Sequence, residues 1–174
     1  MADIMVDIET LGVGPDATIL TIGAQVFDPL GRGYDSRHYY ARINIDTQLN
    51  RSLNDSTIEW WATQPKAIRD EAFSEDDRIE LSTALDELGR LIWQSKRLWC
   101  QGPHFDCTIL EHAYKSYGKA LPWQYYNVRD SRTLFGLWTD MPKPPVTHNA
   151  LEDCRRQVDL VQQTLKHLGV ETLK

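Results

Sequence analysis

The chain has 174 residues, a hydrophobic fraction of 41% and a formal net charge of −6, which excludes a disordered chain and describes one domain of ordinary composition. No run of about 18 uncharged apolar residues occurs, so a membrane-spanning helix is excluded, and Met1-Ala2-Asp3-Ile4 opens without the basic and apolar segments of a secretory signal. Three cysteines without a C-x-x-C pair argue against a disulfide framework or thiolate zinc site; reduced thiols and a cytoplasmic location are expected.

Residues 4–9 read as a short strand, ended by the turn Leu11-Gly12-Val13-Gly14-Pro15-Asp16. Residues 18–27, closed by Asp28-Pro29-Leu30-Gly31, and residues 37–45 (RHYYARINI) supply two more strands. Tight connections make these three an antiparallel meander. The period then changes. A short helix is expected over 56–61, capped by Asp55 or Ser56, and a longer one over 78–93 with Leu81, Leu85, Leu88 and Ile92 on one face. A brief strand over 97–101 leads to a helix on which Phe105, Ile109, Ala113 and Tyr117 line up. A strand at 126–130 and a short helix at 133–139 follow. After Met141-Pro142-Lys143-Pro144-Pro145 comes the longest helix, 149–168, with Leu151, Cys154, Val158, Val161 and Leu165 inward and Gly169 ending it. The order β-β-β-α-β-α-β-α predicts a single α/β domain over residues 1–174, a mixed sheet with helices on its faces. That order resembles the ribonuclease-H-like fold.

Three places carry candidate chemistry. Asp7 and Glu9 lie two apart on the first strand and therefore share a face. An isolated Asp-x-Glu is common, but here Ile4, Met5, Val6 and Ile8 surround it, and carboxylates on a buried strand need a compensating partner. Oxygen ligands of this kind suit a hard divalent cation. Asp106 opens the helix that follows Trp99-Cys100-Gln101-Gly102-Pro103, where an acid also favours the helix dipole. His148 precedes the last helix, with Asp153 expected in its second turn and Glu152 facing solvent.

Asp-x-Glu on the first strand, an Asp after a mid-chain strand and His-x-x-x-x-Asp on a late helix form an ordered set. This set resembles the DEDD superfamily of 3′–5′ exonucleases, in its histidine-containing, DnaQ-like branch, over almost the whole chain. Residues 5–27 (MVDIETLGVGPDATILTIGAQVF), the run Ser56-Thr57-Ile58-Glu59-Trp60-Trp61 with Gln64, and Arg129-Asp130-Ser131-Arg132-Thr133 are similar to a group of phage and prophage exonucleases. That group includes exonuclease VIII and T-even phage exonuclease A, and usually has Asn-Gly where this chain has Gln101-Gly102. The resemblance implies that Asp7, Glu9, Asp106 and Asp153 hold two Mg²⁺ or Mn²⁺ ions and that His148 is the general base. Phosphodiester hydrolysis through two metal ions agrees with such a donor set, and a histidine titrates near neutrality.

The resemblance also places Thr10 and Leu11, directly after Glu9, against the terminal nucleotide. Trp60 and Trp61 are adjacent on a short helix and cannot both face the core. Base stacking, core packing and a contact between copies of the chain are each open to them. Gln64 is a candidate hydrogen-bond partner of the nucleotide. Arg129, Asp130 and Arg132 are expected to form a supporting ion pair; His104 and His112 read as incidental, and His38 and His167 as exposed.

Charge is unevenly spread: residues 1–60 carry 4 basic and 9 acidic side chains, residues 96–174 carry 11 and 8. An enzyme that grips a few nucleotides through metal ions need not be basic overall. The expected activity is metal-dependent 3′–5′ hydrolysis of a single strand to nucleoside 5′-monophosphates, with DNA favoured over RNA. A catalytically idle nucleic-acid-binding or scaffold domain would lack one of the five site residues. No membrane partner is expected, and homo-oligomerisation is left open.

Overall fold

The computed structural model describes residues 2–48 and 50–173. Side chains alternate across β1 (Asp3–Thr10): Ile4, Val6 and Ile8 enter one apolar cluster, and Met5 enters another on the opposite face. Asp7 and Glu9 follow Met5 in that alternation. β1 pairs antiparallel with β2 (Ile19–Phe27), which pairs antiparallel with β3 (His38–Arg42). On its other side β1 runs parallel to β4 (Leu98–Cys100), which runs parallel to β5 (Val128–Asp130). The resulting order is β3-β2-β1-β4-β5, so the strand bearing Asp7 and Glu9 is central.

Helices cover both faces. α3 (Leu81–Trp93) and α4 (Pro103–Ser116) send Leu85, Leu88, Ile109 and Leu110 into the cluster of Ile4, Val6 and Ile8. α5 (Ser131–Phe135) and α6 (Ala150–His167) send Phe135, Cys154, Val158 and Val161 against Met5. α1 (Asp55–Thr63) and α2 (Lys66–Ala72) lie at the end of the meander, where Trp61 and Ala72 pack with Leu11 and Leu20. No described helix is long and apolar enough to cross a membrane.

Several expected boundaries move. α2 was not anticipated, because Gln64-Pro65 reads as a break. Pro65 instead stands just before a new helix, where a missing N–H costs nothing. Asn54, not Asp55 or Ser56, caps α1 by accepting the Thr57 N–H. α3 begins at Leu81, since Arg78 is spent on the carbonyls of Ile43 and Ala72. Phe105 and Tyr117 are 38% and 39% exposed, against the inward stripe expected for them. Gly102, at φ 112°, and Pro103 set the phase of α4, which buries Asp106, Cys107, Leu110 and Tyr114 along with Ile109 and Ala113. α5 stops at Phe135, four residues short of expectation, and Leu151 is only half-buried.

Gly23 bears directly on the site. It faces Asp7 across the β1–β2 ladder, and a Cβ there would collide with the carbonyl of Ala150 and the backbone nitrogen of Leu151. The missing side chain lets the first turn of α6 lie on the sheet beside Asp7. Gly23→Ala is expected to cost about 1–3 kcal/mol of stability, as overpacking of a close contact does. Urea unfolding measures this, and a midpoint equal to wild type would show that α6 does not need the approach.

Candidate active site

The four carboxylates come from three elements, β1, α4 and α6, yet all converge. Asp106, in the first turn of α4, accepts the N–H of Ile8 at 3.3 Å, which ties it to the strand residue between Asp7 and Glu9. Asp153 lies in the first turn of α6, one turn earlier than expected, because Asn149 caps that helix by accepting from Leu151 and Glu152. Its Oδ1 accepts the N–H of Thr147 at 3.1 Å and its Oδ2 the N–H of His148 at 2.8 Å. These bonds hold His148 in the left-handed region, at φ 53°, where a histidine is tolerated better than most side chains. Asp7, Glu9, Asp106, His148 and Asp153 all line one cavity of about 510 Å³. Ligand atoms of Glu9, His148 and Asp153 lie within 4.8 Å of one another.

Burial and crowding shape the electrostatics. Burial pushes the Asp7 carboxyl well above its ordinary value, and the charges of Asp106 and Glu9 push it further. Asp106 is pushed up to about 7, chiefly by burial, and burial raises Glu9 as well. The His148 pKa is raised by Glu9, whose Oε1 stands 3.8 Å from Nδ1, an ion-pair distance and not a hydrogen bond. Asp106, held at about 7, is therefore partly protonated near neutral pH without a cation.

Two residues of α6 that sequence reasoning passed over support the acids. Gln157 donates Nε2 to Asp7 Oδ1 at 2.8 Å, and its buried Oε1 has no hydrogen-bond partner among the described residues. Arg156 donates Nε to Asp153 Oδ1 at 3.0 Å. The signal for both was their place one turn beyond Asp153, readable only once the inward face of α6 is known. An oxygen-only set of four carboxylates, repelling one another and joined by an orphaned amide oxygen, fits hard divalent cations.

The residues expected to touch substrate are placed differently from the acids. Thr10, Leu11, Trp60 and Gln64 do not line the cavity. Thr10 donates its hydroxyl to the Gly12 carbonyl, and Leu11 is buried against Trp61. Gln64 folds back on Trp60 O and Thr63 Oγ1. Trp61 is the core member of its pair, its Nε1 donating to Thr10 O at 2.9 Å. Trp60 is 41% exposed and meets the His148 ring edge-on at 4.9 Å between centroids. Val13, His104, Phe105 and Val146 line the cavity instead; His104 is therefore less incidental than expected. Among the described residues Asp130 is seen in no ion pair; it caps α5, accepting from Arg132 N and the Thr133 hydroxyl. His112 meets Arg51 at 3.4 Å, and His38 and His167 are exposed, as expected.

A family model described as the 3′–5′ exoribonuclease Rv2179c-like domain matches residues 2–165. The chain is 26% identical over 212 aligned residues to an exodeoxyribonuclease of Enterobacteria phage T4, covering 98% of this chain and 92% of the phage protein. Its fold is similar to the nuclease domain of 3′hExo, a DEDDh family member bound to rAMP, with a TM-score of 0.62 at 15% identity. That match covers 99% of this chain and 94% of the other. It is also similar to S. pombe Pop2p in its Mg²⁺- and Mn²⁺-bound form, with a TM-score of 0.59 at 12% identity, covering 98% and 85% of the two chains. The mixed five-stranded sheet with helices on both faces is thus a ribonuclease-H-like architecture.

Proposed function

Because the chain belongs to the family of 3′–5′ exoribonuclease Rv2179c-like domains and is a 3′–5′ exonuclease, we propose that it shortens single-stranded nucleic acid from the 3′ end and releases nucleoside 5′-monophosphates. The observation that carries this reading is the convergence of Asp7, Glu9, Asp106, His148 and Asp153 on one cavity. Its volume of about 510 Å³ lies in the range of small-molecule pockets, which suits a terminal nucleotide and not a duplex.

Asp7, Glu9, Asp106 and Asp153 would hold two Mg²⁺ or Mn²⁺ ions. When bound, such ions supply a hydroxide-like nucleophile and neutralise charge developing on the phosphate. His148, beside Glu9 at the cavity wall, takes the proton of the attacking water. Gln157 holds Asp7 through its Nε2, and its buried Oε1 is left without a partner among the described residues. Phe105, Val13 and Val146 give the terminal base an apolar surface, and Trp60, beside His148, gives the next base a face to stack on. Arg132, at the rim, faces the backbone phosphates.

DNA is the favoured substrate, on the alignment with the phage exodeoxyribonuclease over nearly the whole of both chains. The second reading, RNA, is favoured by the description of the matching family. 5′-Labelled DNA and RNA oligonucleotides, incubated with Mg²⁺ or Mn²⁺, decide both points. The expected product is a ladder descending in single-nucleotide steps, faster on DNA, absent with chelator and absent on a closed single-stranded circle. Cutting of the circle would mean an endonuclease, and a faster RNA ladder would reassign the sugar.

A further inference from the structure

Arg156 is a cation inside a site built to hold cations. Its side chain is 14% exposed and that of Asp153 is 2% exposed, and Nε lies 3.0 Å from Asp153 Oδ1. A carboxylate offers about four lone-pair positions. On Asp153 three are taken by protein donors: Thr147 N and Arg156 Nε on Oδ1, and His148 N on Oδ2. One position remains, on Oδ2. The other end of the guanidinium reaches across to the second motif, where Nη2 lies 3.5 Å from Gln101 Oε1. Gln101 is itself held by its carbonyl, which accepts from Arg132 Nη2 at 3.0 Å, and it immediately precedes the glycine that starts α4 and so places Asp106.

From these contacts we infer that Arg156 is a positioning residue that trades metal affinity for metal placement. It restricts Asp153 to one free lone pair, reduces the net negative charge of the donor set, and locks α6 to the strand end before Asp106. The longer amide of Gln101 belongs to the same device: an asparagine would be one methylene too short to keep the Arg156 contact. The inference rests on the metal-dependent reading of the site. Removing the guanidinium should therefore separate two quantities that an ordinary supporting residue changes together. Loss of a supporting contact commonly lowers metal affinity and activity alike. Loss of a cation beside the donors raises affinity for another cation, while Asp153 keeps its two backbone donors.

The test is a thermal-shift titration with Mn²⁺ alone, paired with kcat and KM on a 5′-labelled single-stranded oligonucleotide. Arg156→Ala is expected to bring the Mn²⁺ midpoint down roughly three- to tenfold while kcat falls about 10–100-fold. Arg156→Lys, which restores charge without spanning to Gln101, should return the midpoint toward wild type and leave kcat low. Gln101→Asn, which keeps the cation and loses its far anchor, should lower kcat with little change in the midpoint. A weaker Mn²⁺ midpoint in Arg156→Ala would overturn the inference, as would a rise in KM at unchanged kcat, which would make Arg156 a phosphate contact. A wild-type protein that shows no Mn²⁺ shift at any concentration would instead overturn the metal reading on which the inference stands.

Discussion

Asp7→Asn should reduce hydrolysis to background and, in chelator at neutral pH, raise the melting temperature. The side chain sits on the central strand with Asp106 and Glu9 against it, and burial and those charges all push its pKa upward. Ionising it in the absence of a cation therefore costs stability. The folded protein holds these protons more tightly than the unfolded chain does, so protonation favours folding. For Asp106 the stabilisation is fully present below its ordinary value of 3.8 and is lost as pH rises through about 7. Glu9 acts in the same direction from its ordinary 4.5 upward. His148, raised by Glu9, also contributes stability present below 6.5 and lost above it. Metal-free wild type should accordingly melt at progressively lower temperature between about pH 4 and pH 7. Mn²⁺ should flatten that slope, and Asp7→Asn should flatten it without metal. Each kcal/mol relieved is worth about 2–4 °C in a chain of this size. A melting temperature that climbs from pH 4 to pH 7 in chelator would show that the acids are not crowded, and retained hydrolysis by Asp7→Asn would remove Asp7 from the reaction.

What the sequence disclosed, and what it did not, follows from the range of the interactions involved. Asp7 and Glu9 were legible because a strand repeats every two residues, so a shared face needs no tertiary knowledge. The long helix was legible because Cys154, Val158, Val161 and Leu165 keep a helical period against Met5. The phase of α4 was not, since Gly102 in a positive-φ conformation re-aims every residue after it and turns Phe105 into the cavity. Thr10 and Leu11 depend on a partner more than forty residues away: the Trp61 indole N–H holds the Thr10 carbonyl, and Leu11 is buried in the same apolar cluster as Trp61. Trp61 and Trp60 could not be told apart until α2 supplied Ala72 as a neighbour for one of them. Gly23 carried no motif at all; its role appears only when the backbone of Ala150 is placed above it.

His148→Ala should fall about 10²- to 10⁴-fold in turnover near neutral pH, the contribution typical of a general base, and should still be stabilised by Mn²⁺. The separation from Asp7 is structural. What ties His148 to the donor set is its backbone N–H on Asp153 Oδ2 at 2.8 Å, and an alanine keeps that bond. What the alanine loses is an imidazole standing beside Glu9 and against the Trp60 ring. His148→Asn, which tolerates the left-handed backbone seen at φ 53°, serves as the control for strain. Only the neutral ring can accept a proton, and Glu9 raises its pKa by stabilising the charged form. Compensating the charge of Glu9 returns the imidazole toward its ordinary value, so the wild-type rate should rise on the acid side and level near neutrality. In His148→Ala that inflection should vanish, and the residual rate should keep climbing with pH as hydroxide replaces the missing base. Matched pH–rate profiles of the two proteins at saturating Mn²⁺ read this directly. Should the variant keep the wild-type inflection, the titrating base lies elsewhere; should it lose its Mn²⁺ stabilisation along with its rate, His148 is a ligand and the proton has another acceptor.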